Sequence, residues 1–283
     1  MNIISKNNIY LQDIVKKGHQ LLKKANIDNA KQEMYWFIKD KLSISSEKQI
    51  LENIILNKFQ INLVENFLKR RISGEPYQYI INKGSFYGYD FFINKHTLIP
   101  RPETELIIEV VKKTGTYDSC LDVGTGPGNI AITLVKEKLV KKVDAIDISK
   151  DALKVAHKNC KKHQINNICF YNVDFFNFTL NTKYDLVVSN PPYISLEDYI
   201  TLDRQIKFYE PKIALTDGEQ GLSFYRFFAK KLKQILKPKG QLVFEIGLEN
   251  TQETINDLFI KEGYKCNWEK DLNGDYRVCR VYK

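Results

Sequence analysis

The sequence predicts an α/β protein: a seven-stranded, mostly parallel sheet with helices on both faces, an antiparallel hairpin at its end, and a small helical region ahead of it. Three observations predict this. From Cys120 onward, short apolar runs rich in β-branched residues alternate with helical stretches, which implies a parallel sheet. The last two such runs are joined only by Asp271-Leu272-Asn273-Gly274-Asp275, a connection that demands an antiparallel turn. In the first 75 residues, by contrast, apolar residues recur at helical spacing.

The length of 283 residues suits one large domain or a small one plus a medium one. The expected boundaries are a helical substrate-docking domain over 1–75, a β-hairpin linker over 76–100 and the sheet domain over 101–283. A hydrophobic content of 43% is enough for a real core. Met1-Asn2-Ile3-Ile4-Ser5-Lys6 lacks the apolar stretch of a leader, and no apolar run approaches membrane-spanning length. The 5 cysteines are odd in number and form no C-x-x-C pair, so neither a metal site nor a disulfide framework is expected. That pattern suits a reducing cytoplasm. The net charge of +9 comes mostly from lysines spread along the chain, without an arginine-rich arm. It favours encounter with an acidic partner or one bound to RNA, and neither a stable nucleic-acid complex nor a membrane partner is expected.

Taken in order, helical spacing first appears in Ile9, Leu11, Ile14, Val15, Leu21 and Leu22, then in Met34, Trp36, Phe37 and Ile38. It returns in Leu51, Ile54, Ile55 and Leu56, and again over 63–72, where Ser73-Gly74 stops it. Residues 85–93 read as an aromatic hairpin turning near Gly88. Pro100-Arg101-Pro102 then presents an arginine on a stiff backbone, and a helix is expected over 103–113. A surface linker would account for this stretch as well as a functional role would. Strands are expected at 119–123, 142–146, 168–173, 184–189, 240–246, 264–268 and 276–281, with helices at 129–137, 150–163, 222–236 and 250–262.

Two stretches carry chemistry. Asn190-Pro191-Pro192-Tyr193 follows a buried strand that two prolines cannot continue, since neither has an N–H to donate. The backbone is forced outward at the carboxyl end of the strand, where open α/β sheets bind ligands. Asn190 offers an amide carbonyl, Pro191 and Pro192 carbonyls without competing donors, and Tyr193 a flat ring. Together they make an acceptor-rich slot for a planar NH2 group, although Asn-Pro pairs also mark plain turns. The second stretch is Gly124-Thr125-Gly126-Pro127-Gly128, a turn between strand and helix that lets backbone approach a ligand closely. Asp147 ends the next strand, where a carboxylate can hold both hydroxyls of a ribose; a helix-terminal carboxylate is the competing reading. Phe175 follows the third strand, at a place suited to an adenine. The G-x-G-x-G spacing points to a nucleoside cofactor without pyrophosphate.

Asp122 through Gly128, Asp147 and Asn190 through Tyr193 resemble a class I S-adenosylmethionine-dependent methyltransferase acting on a planar nitrogen. Further stretches narrow the resemblance to the release factor glutamine methyltransferase (PrmC/HemK) family. These are Gly74-Glu75-Pro76-Tyr77-Gln78-Tyr79-Ile80, Phe86-Tyr87-Gly88, Ile99-Pro100-Arg101-Pro102-Glu103-Thr104-Glu105, Glu210-Pro211-Lys212-Ile213-Ala214-Leu215, Gly221-Leu222 with Tyr225, Glu245-Ile246-Gly247 and Asp271 through Val278. Pro127 departs from the family, where a small polar residue is usual. The resemblance implies a Rossmann-like methyltransferase sheet and S-adenosylmethionine as cofactor. It also implies methyl transfer to the glutamine amide nitrogen of the Gly-Gly-Gln motif in peptide chain release factors; a cytoplasmic monomer is expected. Asn190, Pro191 and Tyr193 would be catalytic, and Pro192 would join them in holding substrate. Gly124, Thr125, Gly126, Pro127, Gly128, Asp147, Phe175 and Asn190 would hold the cofactor. Asn-Pro-Pro-Tyr is shared with DNA adenine methyltransferases, so methylation of adenine N6 in DNA or RNA is the alternative. A third reading is a cofactor-fold protein that binds the translation machinery without catalysis.

Overall fold

Buried apolar strands set the frame. In the computed structural model, which describes residues 10–42, 44, 54–177, 182–248 and 251–283, the strands β3 (Tyr117–Val123), β4 (Val140–Asp147) and β6 (Tyr184–Ser189) form the sheet centre. Leu121, Val143, Ala145, Ile146, Leu186, Val187 and Val188 are all at most 1% exposed, as strands covered on both faces require. With β5 (Ile168–Asn172), β7 (Leu236–Glu245), β8 (Lys265–Lys270) and β9 (Tyr276–Tyr282), the order across the sheet is β5-β4-β3-β6-β7-β9-β8. Pairing from β5 to β7 is parallel, and β9 pairs antiparallel with both β7 and β8. The seven strands and the closing hairpin thus match the expectation. The last strand is inserted beside β7 and leaves β8 at the edge.

Several boundaries differ by one to four residues, β4 among them, which runs Val140–Asp147 against the expected 142–146. The strand expected from 119 begins at Tyr117. The helix expected to end at 236 stops at Ile235, and Leu236 already opens β7, pairing with Tyr184 ahead of a register shift. Glycine makes that shift possible: a Cβ on Gly240 would lie 2.8 Å from the Tyr184 carbonyl oxygen.

The described residues fall into two compact units, within Met1–Asn82 and Lys83–Lys283. In the first, helices Leu11–Lys24, Ala30–Leu42, Lys58–Ile72 and Tyr77–Ile81 enclose a core in which Phe37 and Phe67 stack at 4.2 Å. Glu33 and Arg71 form a buried two-pronged ion pair there, at 2.7 and 3.2 Å. The third helical segment is not seen where described: Ile55 bridges Tyr10, and the Leu11 N–H donates to the Ile54 carbonyl at 2.8 Å. Ile9, Leu51 and position 250 lie outside the described residues. Among those residues no helix is long and apolar enough to cross a membrane.

In the second unit, β1 (Gly84–Phe86) and β2 (Tyr89–Phe91) make the hairpin with a two-residue turn, Tyr87-Gly88. Both turn residues have positive φ, 50° and 74°, which matches the twist of the flanking strands. Tyr87 is held in that unusual conformation from outside the turn: its N–H donates to Glu105 at 2.8 Å and its hydroxyl to Glu109.

Candidate active site

Register brings one row of residues to the carboxyl ends of the strands. Val123 pairs with Ile146 on one side and Ser189 on the other, and Ser189 pairs with Phe244. The next residues are therefore Gly124, Asp147, Asn190 and Glu245. The strand order reverses here, since β4 and β5 lie to one side of β3 and β6 and β7 to the other. Ligands bind open α/β sheets at such a point. A cavity of about 300 Å³ opens above the row, lined by residues 124–127, Asp147, Phe175, Asn190 and Pro192 among others.

The glycine turn divides its labour. Gly124 and Gly126 have φ of 72° and 55°, and a Cβ on either would meet nothing closer than 4.0 Å. Their backbone therefore lies bare to the cavity. Gly128 does something else: a Cβ there would lie 3.2 Å from Ile132 and 3.3 Å from Ala156, so it lets the turn pack on two helices. Gly128, Pro191 and Tyr193 are not among the lining residues.

Asp147 accepts the Gly126 N–H on one oxygen and the Ser149 N–H on the other, each at 2.8 Å. The cap of the following helix is Ser149, whose hydroxyl oxygen accepts the Ala152 N–H at 3.1 Å. Asp147 is thus left on the cavity wall, with a further acceptor site on each oxygen. Burial raises its pKa, opposed by the two N–H bonds. Near it, Asp122 is fully buried; one oxygen accepts the Thr125 hydroxyl at 2.6 Å, and the Ala131 backbone N–H also faces the carboxyl. Burial pushes the Asp122 carboxyl up to about 7.

On the far wall, Phe175 and Phe176 meet Phe224, with Phe175 and Phe224 stacked at 6.2 Å. Pro100-Arg101 lines the cavity too, and Arg101 pairs with the buried Glu210 at 2.5 Å. Glu210 also accepts the Ile99 N–H at 3.2 Å, fastening two cavity-lining segments together.

The Asn190 end is more tightly wired. Asn190 Nδ2 donates to Thr104 Oγ1 at 2.9 Å, and the Thr104 hydroxyl donates to Glu245 Oε2 at 2.5 Å. The Tyr193 hydroxyl donates to Glu245 Oε1 at 3.0 Å, and Tyr225 to the Glu245 carbonyl at 2.9 Å. Thr104 has one hydrogen and gives it to the carboxylate, so towards Asn190 it can only accept. Among the described residues, Asn190 Oδ1 has no hydrogen-bond partner. Two glycines shape this loop: a Cβ on Gly221 would sit 2.1 Å from the Tyr193 carbonyl oxygen, and one on Gly247 would sit 3.0 Å from the Tyr193 ring.

Comparison with known proteins places this arrangement. A family model described as the methyltransferase small domain matches residues 102–206, and one described as the PrmC N-terminal domain matches residues 13–81. A Bacillus subtilis protein named release factor glutamine methyltransferase is 42% identical, covering 74% of this chain and 76% of its own. The chain belongs to the release factor glutamine methyltransferase family. It is also 37% identical to a Rickettsia typhi protein named bifunctional methyltransferase over 80% of its length, but spans only about half of that relative, 48%. A methyltransferase structure from Pyrococcus furiosus shares the fold at a TM-score of 0.53 and 18% identity, covering 80% of this chain and 98% of that one.

In this methyltransferase, sequence reasoning missed Thr104 as the partner of Asn190, Glu245 as the partner of Thr104 and Tyr193, and Phe224 as a wall of the cavity. Both ends of the Thr104–Glu245 bond lie in stretches that resemble the family, yet 141 positions separate them. No local pattern joins residues so far apart.

Proposed function

We propose that this chain transfers a methyl group from S-adenosylmethionine to the side-chain amide nitrogen of the glutamine in the Gly-Gly-Gln motif of release factors. The observation that carries the reading is Asn190, a cavity-lining amide whose nitrogen is committed to Thr104 and whose oxygen is left open. That oxygen is an acceptor for the N–H of a planar amide, and the proline carbonyls beside it add acceptors without donors.

The residues around the cavity fit the cofactor. Asp147 keeps an acceptor on each oxygen for a ribose diol, the bare backbone of Gly124 and Gly126 admits close approach, and the Phe175–Phe176 wall suits an adenine. When bound, the cofactor supplies an electrophilic methyl carbon, whose bond to sulfur breaks, with its electron pair, as the bond to nitrogen forms.

An amide nitrogen is a poor nucleophile because its lone pair is delocalised into the carbonyl. Asn190 and the proline carbonyls assist by holding both N–H groups as positive charge grows on nitrogen. One of those protons then leaves to solvent. Positioning at roughly 3–3.5 Å supplies much of the remaining acceleration. The helical unit within residues 1–82 would dock the folded substrate, in a cytoplasmic enzyme.

The test is incubation of the chain with an intact release factor, duplex DNA and labelled S-adenosylmethionine, with the label located by peptide mass spectrometry. Label on the Gly-Gly-Gln glutamine and none on DNA is expected; label on adenine alone would overturn the reading. A second expectation concerns Asp147→Ala. Losing the diol acceptor is expected to weaken cofactor binding by about 1–3 kcal/mol. Calorimetry finding unchanged affinity in a folded variant would remove Asp147 from the cofactor site.

A further inference from the structure

Glu245 is 1% exposed at the end of β7, and the reaction described above makes no use of it. Its contacts nonetheless lead to the residue that the reaction depends on. One carboxylate oxygen takes the Thr104 hydroxyl, which takes Asn190 Nδ2; the other takes the Tyr193 hydroxyl. An amide side chain has two nearly isosteric orientations, and only one of them puts its oxygen towards a substrate N–H. Something must choose between them.

We propose that Glu245 and Thr104 are positioning residues that fix the Asn190 amide with Oδ1 turned towards the substrate, and that protonation of Glu245 releases it. The proposal rests on Asn190 acting as the substrate acceptor. The choice follows from counting hydrogens. An ionised carboxylate only accepts, so Thr104 donates to it and has only lone pairs left for Asn190, which must answer with Nδ2. A protonated carboxyl must place its own hydrogen. Given to Thr104 Oγ1, it frees the threonine hydrogen for Asn190, which then answers with Oδ1. The amide turns over and sets donors against the substrate's donors.

The groups facing the carboxylate decide where this happens. Burial raises the Glu245 pKa to about 7, against the lowering effect of the Thr104 and Tyr193 hydrogen bonds and of Arg277. Glu103 adds to the rise. Tyr193 is itself held protonated by burial and by Glu245, so it remains a donor. Tyr225 bonds the main-chain carbonyl and leaves the carboxylate alone. Glu245 is thus ionised above about 7, and the productive orientation is lost as pH falls through that value. A cofactor carrying a positive sulfur moves the midpoint down.

Two measurements test this, and the first does not depend on the choice of substrate. In the full chain without ligands, the side-chain 15N–1H pair of Asn190, assigned by its disappearance in Asn190→Ala, is expected to titrate with a midpoint near 7. In Glu245→Gln it should stay still. With a release factor and S-adenosylmethionine, Thr104→Val is expected to lower kcat about tenfold or more. Its KM for the cofactor should hold, and Thr104→Ser should recover most of the loss. Glu245→Gln should flatten the acid limb of the kcat profile. An Asn190 signal that does not move in the wild type, or a folded Thr104→Val with wild-type kcat, overturns the proposal. If the wild type leaves the release factor unmethylated, the substrate assignment fails, and the titration still decides the relay.

Discussion

Asn190→Ala is expected to reduce turnover about a hundredfold or more while leaving affinity for S-adenosylmethionine nearly intact. Removing one preorganised partner of transition-state charge costs on the order of 10²–10³ in rate, or about 2.7–4 kcal/mol. Asn190 belongs to that class because its oxygen is held ready in advance, through Thr104 and Glu245, and needs no rearrangement when charge develops. The nitrogen of the substrate becomes more acidic as the new bond forms, so the contact strengthens on the way to the transition state. Cofactor affinity should hold because Asp147, the bare glycine turn and the phenylalanine wall are untouched. Single-turnover measurement with saturating release factor reads the first quantity, and calorimetry the second. A variant that keeps its rate but loses cofactor affinity would show that Asn190 serves the cofactor and leaves the amide nitrogen unassisted.

The sheet was legible because both faces of its strands are buried. Leu186, Val187 and Val188 are consecutive apolar residues at 0% exposure, and a run of that kind is written plainly in the sequence. The exceptions have local causes. Lys237-Pro238-Lys239 interrupts the apolar pattern of β7, so the pattern predicts the strand only from 240, while its first pairing, at Leu236, lies ahead of the break. Residues 54–56 show helical spacing, yet Ile55 bridges Tyr10, a pairing across the chain that spacing cannot reveal. Of the site, the glycine turn, Asp147 and Asn190 could be found because each lies at the carboxyl end of a strand, Asp147 as its last residue and the other two just beyond it. The Pro-Arg-Pro stretch left its purpose open. Its Arg101 pairs with Glu210, and its neighbour Thr104 with Asn190 and Glu245, three contacts that exist only once the strand order is known. Tyr193, expected over the substrate amide, lays its ring on Gly247 and its hydroxyl on Glu245.

Gly221→Ala is expected to damage the enzyme more than any other glycine-to-alanine change near the cavity. Two effects add. Gly221 has φ of 74°, a conformation that costs an alanine about 1–2 kcal/mol. The new methyl carbon would also stand 2.1 Å from the Tyr193 carbonyl oxygen and 2.8 Å from its carbon, a backbone overlap that no side-chain rotation can relieve. Either the Asn190–Tyr193 loop or the 217–222 turn must shift. The turn resists, because Asp217 accepts the N–H groups of Glu219, Gly221 and Ser223, each at 2.9 Å. The loop therefore gives way and carries Asn190 with it. A displacement near 1 Å is enough to lower turnover about a hundredfold. The melting temperature should fall by about 5–10 °C, at roughly 2–4 °C for each kcal/mol in a chain of this size. Gly218→Ala separates the two causes, since Gly218 has φ of 80° but a Cβ added there would meet nothing within 4 Å. That variant should lose only the conformational share of stability and keep most of its turnover. Equal effects from the two substitutions, read by calorimetry and single-turnover rate, would mean that the close approach to Tyr193 does not hold the loop.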